Sequence, residues 1–329
     1  MSMVHKRFFV RLALSVCVGV CALAAAAPAA AQDYPNRPIT VIVPYPPGGG
    51  TDIGARTWGA LLEKELGVPI NVVNRGGGAG IPGHTAIANA KPDGYTIGVM
   101  TNDISLYKPQ GLAELTHRDL RPLGRATRIA AGVNVIAGSP YKTIKDLADA
   151  ISTSKPRQFQ ATGAAHGVNW HIAFLGLMLD LGVPVDKVVW VPTQGGTAGH
   201  LDVASGNSTF STASMAEATT LIAAGKLQPL AVMAAERLKG FPETPTLKES
   251  IGSNWTYSVE HGVAAPKDLP DDIATRLIAA LGKVIQSDEF RDAMAKRSIE
   301  VAWQPGDEYG KTMAKDLEET ARILKQVKP

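Results

Sequence analysis

Two glycine-rich stretches lie near the start of the chain. One runs Pro44-Tyr45-Pro46-Pro47-Gly48-Gly49-Gly50-Thr51-Asp52, the other Asn74-Arg75-Gly76-Gly77-Gly78-Ala79-Gly80-Ile81-Pro82-Gly83. Each follows a short apolar run and precedes a helical pattern. Glycine admits positive φ and lets another group approach the backbone closely. A strand, a glycine turn and a helix N-terminus in succession present free N–H groups and a positive dipole end, which suits an anion. Two such turns from neighbouring strands converge on one place, so the sequence predicts an anionic-ligand site there. The plainer reading, that the glycines only permit tight strand-to-helix turns, accounts for either stretch taken alone.

The first 31 residues read as an export signal. Lys6, Arg7 and Arg11 are its charged part, Leu12 to Ala27 its apolar part, and Ala29-Ala30-Ala31 the small-residue cleavage pattern. The apolar part is too short and too alanine-rich for a membrane anchor. Cys17 and Cys21, the two cysteines of the chain, both fall inside it. The mature protein is therefore expected to use no disulfide, no thiol chemistry and no cysteine-bound metal. The full chain has 33 basic and 30 acidic residues, and losing the leader leaves 30 against 30. A neutral chain offers no basic surface to nucleic acid. An exported, cysteine-free protein points to a periplasm, and the length remaining suffices for two α/β domains.

Strand and helix patterns alternate after the leader. Ile39–Val43, Ile70–Asn74 and Tyr95–Met100 read as strands, and residues 52–66 and 83–90 as helices. Alternation of this kind predicts a parallel sheet with helical crossovers. The stretch 120–137, with Arg121, Arg125 and Arg128 before an apolar run, reads as a passage into a second unit. There the same grammar resumes. Thr143 and Asp146 form the spacing of a capping box, strands are expected at 159–162, 188–191, 210–212 and 230–234, and helices at 166–181, 197–204 and 217–224. After Pro266 the chain reads as wholly helical and is expected to pack back on the first sheet. Two crossings follow, near residues 131 and 257. Lobe 1 is then discontinuous, 32–131 with 257–329, and lobe 2 is 132–256, with a ligand clasped between them.

Few catalytic or cofactor signatures compete. Gly78-x-Gly80-x-x-Gly83 matches a dinucleotide fingerprint, with Asp103 near the place of the ribose acid. It follows the second strand, however, and Pro82 removes an N–H that a pyrophosphate needs. His166 and His171, five apart, point to different faces of one helix and suit no shared metal. No nucleophile motif singles out a serine near His117, His171, His200 or His261. His171 has two readings, a hydrogen bond to a ligand carboxylate or a backbone-satisfied core position. Trp170 reads first as core packing. Gln194-Gly195-Gly196-Thr197 repeats the anion-turn grammar in the second lobe, with Thr197 as the expected N-cap.

The chain resembles the Bug-type (Bordetella uptake gene) substrate-binding proteins of tripartite tricarboxylate transporters. The resemblance runs over essentially all of the mature sequence. It is strongest at Tyr34–Arg56, Asn74–Gly83 and Lys91–Gly98, with support at Val191–Asp202, Ala223–Val232 and Phe241–Gly252. It implies a two-lobed α/β fold of the periplasmic-binding-protein, Venus-flytrap type (type II), joined by two hinge crossovers. A monomer is expected that captures a small organic acid, without cofactor, metal or catalysis, and delivers it to permease subunits in the cytoplasmic membrane. The rival readings are an exported α/β hydrolase and a sensory binding protein for a membrane kinase.

The expected ligand-binding residues are Tyr45, Pro47, Gly48, Gly49 and Asp52 on the first turn, and Gly78, Ala79 and Gly80 on the second. Thr101 and Asn102 follow the third strand. The second lobe contributes Thr162, Gly163, Asn169, His171, Gln194, Gly195, Gly196 and Thr197. Three positions depart from the family pattern. Gly167-Val168 stands where a glycine-serine pair is frequent, Gln194 where lysine is common, and Ala213 where an aspartate is often found. A second lobe with fewer charges is expected to favour a ligand whose far end is neutral, apolar or aromatic.

Overall fold

The β-branched run Ile39-Thr40-Val41-Ile42-Val43 forms strand β1 (Ile39–Val43), enclosed on both faces as a central parallel strand requires. It pairs in parallel with β2 (Ile70–Asn74) on one side and β3 (Thr96–Thr101) on the other. Helices α1 (Gly50–Leu66) and α2 (Ile81–Ala88) connect these strands. The short helix α3 (Ile104–Tyr107) leads on toward β4 (Leu120–Ala130). The structure is a computed structural model that describes residues 34–327, and from Arg37 onward the chain forms one compact unit. The expected leader, with Cys17 and Cys21, lies outside the described residues. Among those residues no helix is long and apolar enough to cross a membrane.

Two sheets carry the fold. Strands β10 (Ser258–Pro266) and β11 (Glu300–Pro305) complete the first, in the order β11-β4-β10-β3-β1-β2. The second is built from β5 (Gly132–Ile136), β6 (Phe159–Thr162), β7 (Val188–Val191), β8 (Phe210–Ser211) and β9 (Leu227–Val232), in the order β7-β6-β8-β5-β9. Helices α4 (Ile144–Thr153), α5 (Asn169–Asp180), α6 (Gly196–Ala204), α7 (Met215–Ala223) and α8 (Leu247–Ile251) belong to this second half of the fold. The chain then adds α9 (Asp271–Ile285), α10 (Asp288–Ala295) and α11 (Gly306–Val327). It passes between the sheets at Ala131 and returns at Tyr257, and the two passages are tied to each other. Ala131 N donates to Tyr257 O at 2.9 Å, Met233 N to Ala131 O at 2.8 Å, and Tyr257 N to Met233 O at 3.0 Å.

The sheets are mixed, which corrects the parallel expectation. β10 runs antiparallel to β3 and β4, β11 antiparallel to β4, and β5 antiparallel to β8 and β9. The end of the chain is not wholly helical either, because β11 lies at the edge of the first sheet. Its residues are only half-buried, so its sequence lacks the apolar run of a central strand. The three arginines of β4 explain the register. Arg128 grips Glu300 with two bonds of 2.6 and 2.8 Å, Arg125 pairs with Glu260 at 2.6 Å and reaches Ala302 O at 2.7 Å, and Arg121 meets Asp271 at 2.7 Å. The closing helix does pack on the first sheet, where the buried Tyr309 hydroxyl donates to Met100 O at 3.0 Å. The capping box on α4 forms as its spacing predicts.

Candidate functional site

The two first-sheet glycine turns meet through glycines whose missing side chains permit the close approach, Gly83 most tightly. A Cβ on Gly83 would lie 2.5 Å from Pro44 Cα and 2.9 Å from Arg75 O, and one on Gly76 would lie 3.0 Å from Pro46 N. Contacts that short are hard-sphere overlaps, so the small side chain is what allows the turns to touch. In the second turn Gly77, Gly78, Ala79 and Gly80 all have positive φ, of 95°, 50°, 59° and 87°. Ala79 carries a side chain there at a cost of about 1 kcal/mol, the kind of local strain that tertiary contacts must hold in place. Here the hold is visible. Tyr107 OH donates to Ala79 O at 2.8 Å. Thr101 N donates to His84 Nε2 at 3.3 Å, which assigns the ring proton to Nδ1, facing the Tyr107 oxygen at 2.8 Å. Burial keeps His84 neutral, down at about 3.

Asp103, from the end of β3, joins the two halves of the molecule. Its carboxylate accepts from Tyr45 OH, from Thr101 Oγ1 at 3.2 Å, from the backbone N of Asn169 at 2.9 Å, and from Asn169 Nδ2. Asn169 is the first residue of α5, so a carboxylate of one sheet caps a helix of the other. Gln110 Nε2 donates across the same seam to Gly167 O. Burial raises Asp103 to about 6 against the pull of its donors.

A second carboxylate occupies the glycine turn before α6. Glu217 of α7 accepts from Ser214 Oγ at 2.7 Å and from the backbone N–H groups of Ser214 and Thr197. A Cβ on Gly196 would overlap this carboxylate, and one on Gly49 would lie 3.7 Å from Glu217 Oε1. The Glu217 carboxylate thus stands between the N-terminal ends of α1 and α6. Burial lifts it to about 6. Gln194 and Ala213 leave fewer charges in the second lobe, but an acid from further along the chain, Glu217, stands against the α6 turn. Ser214-x-x-Glu217 has the spacing of a capping box, the one sequence signal that could have drawn attention to it. Asp103 stood out in the sequence only through a dinucleotide pattern, not as the cap of α5, and Tyr107 carried no local signal.

The structure gathers some of the expected residues and turns others away. Tyr45, Gly80, Thr101 and Asn169 cluster around Asp103 and Tyr107, where a Cβ on Gly80 would lie 3.1 Å from both tyrosine hydroxyl oxygens. Gly49, Gly196 and Thr197 surround Glu217, while Pro47, Gly48, Gly78 and Gln194 are exposed on their turns. The N-cap of α6 is Gly195, not Thr197, whose N–H goes to Glu217. Asp52 is an internal brace. It accepts from Gly48 N at 2.9 Å, Arg56 at 3.0 Å and Asn74 Nδ2 at 2.8 Å, and these donors, outweighing burial, hold it below its ordinary value. Asn102 is spent on β10, bonding Ser258 O and Glu260 N. Thr162 Oγ1 donates to Val191 O at 2.8 Å, and Gly163 is wedged against Trp170.

The histidine of the second sheet takes its backbone-satisfied reading. His171 Nδ1 accepts from Gly167 N at 3.0 Å, and the ring packs among Trp190, Phe174 and His166, with burial driving it down to about 3. His166 and His171 do meet, with ring centroids 4.3 Å apart, because α5 begins at Asn169 and His166 lies in the turn before it. Only on one unbroken helix would the two rings lie on different faces. Trp170 is buried edge-on against Tyr257, as core packing predicts.

Comparison with known proteins agrees over almost the whole chain. The family described as the tripartite tricarboxylate transporter family receptor, TctC, matches residues 55–328. BugT of Bordetella pertussis is 26% identical over 319 residues, covering 96% of this chain and 97% of its own. A crystal structure of a TctC solute binding protein from Polaromonas, without ligand, is 32% identical with a TM-score of 0.69, covering 89% of this chain and 99% of that one. A Rhodopseudomonas palustris protein solved with adipate superposes with a TM-score of 0.82 at 23% identity, covering 90% and 98%. The mixed α/β architecture in two sheets is that of the two-lobed periplasmic binding proteins, and the chain belongs to the TctC family of tripartite tricarboxylate transporter receptors.

Proposed function

We propose that this protein is an exported, monomeric receptor that holds a small organic acid between two lobes, 32–131 with 257–329 and 132–256, and hands it to permease subunits in the cytoplasmic membrane. The observation that carries the reading is the convergence of two glycine turns at the N-terminal ends of α1 and α2, facing the seam closed by Asp103 and Asn169. Backbone N–H groups and helix dipoles directed at one place suit a carboxylate. The adipate-bound relative supports the ligand class, and the family description supports the transporter. A hydrolytic reading finds little support at its best candidate pair. His200 Nδ1 lies 2.9 Å from Ser211 Oγ, but both side chains are fully enclosed and His200 Nε2 is engaged by Ser214 O.

Calorimetry of the chain from Gln32 against a panel of mono- and dicarboxylates tests this reading. At least one acid should bind with an affinity in the micromolar range or better, about −8 kcal/mol. The Gly49→Val variant should lose at least about tenfold in affinity. The φ at Gly49 is −77°, open to any residue, so this variant should keep its fold. No binding across the panel, or unchanged affinity in the variant, sinks the proposal.

A further inference from the structure

Glu217 stands at the third position of α7, where its N-cap is Ser214. The groups that hold its carboxylate are neutral donors: the Ser214 hydroxyl and the N–H groups of Ser214 and Thr197. It fills the glycine turn of α6, the place at which a ligand's second carboxylate would otherwise find a helix N-terminus. It also looks across the seam toward Gly49. In the seam itself, the Oδ1 of Asn169 is a buried acceptor with no partner among the described residues, while its amide nitrogen donates to Asp103. The second half thus carries two acceptors near the seam, the Glu217 carboxylate facing Gly49 and the Asn169 amide oxygen beside Asp103.

Resting on the organic-acid reading above, we propose that Glu217 sets the chemistry of the ligand's far end: a carboxylate ligand bearing a hydrogen-bond donor, whether hydroxyl, amide or ammonium, is accepted, and a second carboxylate is rejected. Two carboxylates brought together out of water repel, and one of them must take up a proton before both can stay. The α6 terminus is already partly spent, since its Thr197 N–H serves Glu217. A donor instead meets the Glu217 carboxylate where it faces Gly49. Specificity here is built as much by repulsion of the wrong ligand as by attraction of the right one.

Calorimetry with length-matched acids tests the proposal: adipate, ω-hydroxyhexanoate and ω-aminohexanoate, then succinate, γ-hydroxybutanoate and γ-aminobutanoate. In the wild-type protein the hydroxy or amino acid of a given length should bind at least about tenfold more tightly than the diacid. In Glu217→Gln the preference should shrink to within about threefold, the diacid gaining and the amino acid losing. Glu217→Ala is the second variant, and circular dichroism with thermal melting checks the fold of both. A diacid that binds the wild type as tightly as its partners overturns the proposal, as does a preference unchanged in both variants. If acids bind without this preference, the organic-acid reading survives and only the role of Glu217 falls. If none of them binds, both fall.

Discussion

The first-sheet turns and the second-sheet turn share one sequence grammar, yet the fold treats their carboxylates in opposite ways. Asp52, beside the first turn, is neutralised by Arg56 and held low by its donors. Asp103 and Glu217 have no such partner in their immediate bonding; each accepts from neutral donors at a helix N-terminus of the second half, and burial pushes each to about 6. The first region is thus braced internally by an ion pair, whereas the helix ends of the second half are occupied by the chain's own acids, one of which also reaches the start of α1. Glycine content alone does not distinguish an open anion site from one that is filled.

The sharpest way to break this comparison is at the glycines. Gly83→Ala forces a Cβ to 2.5 Å from Pro44 Cα and should cost upwards of about 3 kcal/mol in urea unfolding, since backbone on both sides must move. Gly195→Ala meets nothing within 4 Å and suffers only from its φ of 142°, so a loss of about 1–2 kcal/mol is expected. Equal losses at the two sites would show that packing does not separate the turns.

Asp103→Ala comes next. It strands the donors of Tyr45, Thr101 and Asn169, for a loss of about 3 kcal/mol by the same measurement. A loss under about 1 kcal/mol would show that the seam is not held there.

Acid should test both regions together. His84 and His171 are driven down to about 3, His200 and His261 to about 4, all by burial. Between those values and the ordinary 6.5 the unfolded chain binds more protons, so stability present above pH 6.5 is lost as pH falls, by up to about 1.4 kcal/mol per unit for each ring. Asp103 and Glu217 act in the opposite sense. Their folded values lie above the unfolded ones, so their contribution is full at low pH and disappears as pH rises through about 6. Asp316, raised to about 7 by burial, and Glu260, also raised by burial, act with these acids, while His117, lowered by burial, acts with the rings; the rings still outweigh the acids, and stability from urea titrations should decline from pH 6.5 to pH 5. A flat profile would place those histidines in contact with water.

The smallest effect isolates Glu217. Glu217→Gln removes a charge that the folded state disfavours, so at pH 8 the variant should be more stable by about 1 kcal/mol, and the gap should close by pH 5. A variant less stable than wild type at pH 8 would mean that the ionised carboxylate is worth more to the α6 and α7 ends than its burial costs.

Local chemistry made part of this molecule legible in advance. The β-branched run of β1, the capping box of Thr143 and Asp146, and the glycine turns each record an interaction within a few residues. The start of α5 was misplaced because its N-cap is Val168, which carries no capping side chain, while the real cap, Asp103, lies 66 residues earlier. β11 was missed because an edge strand buries little and its register is fixed by Arg128 and Glu300, 172 residues apart.

The sequence by itself determined the strand–helix alternation of the first sheet, the Thr143 capping box and the tight glycine turns, since each depends on backbone freedom and neighbouring residues. Only the tertiary structure decided which helix ends the chain's own carboxylates occupy. Asp103 reaches Asn169, and Glu217 reaches Thr197, across spans of chain that no local pattern encodes. A charge acts on whatever lies within a few ångströms of it, and in this protein what lies there is set by how two sheets are brought together.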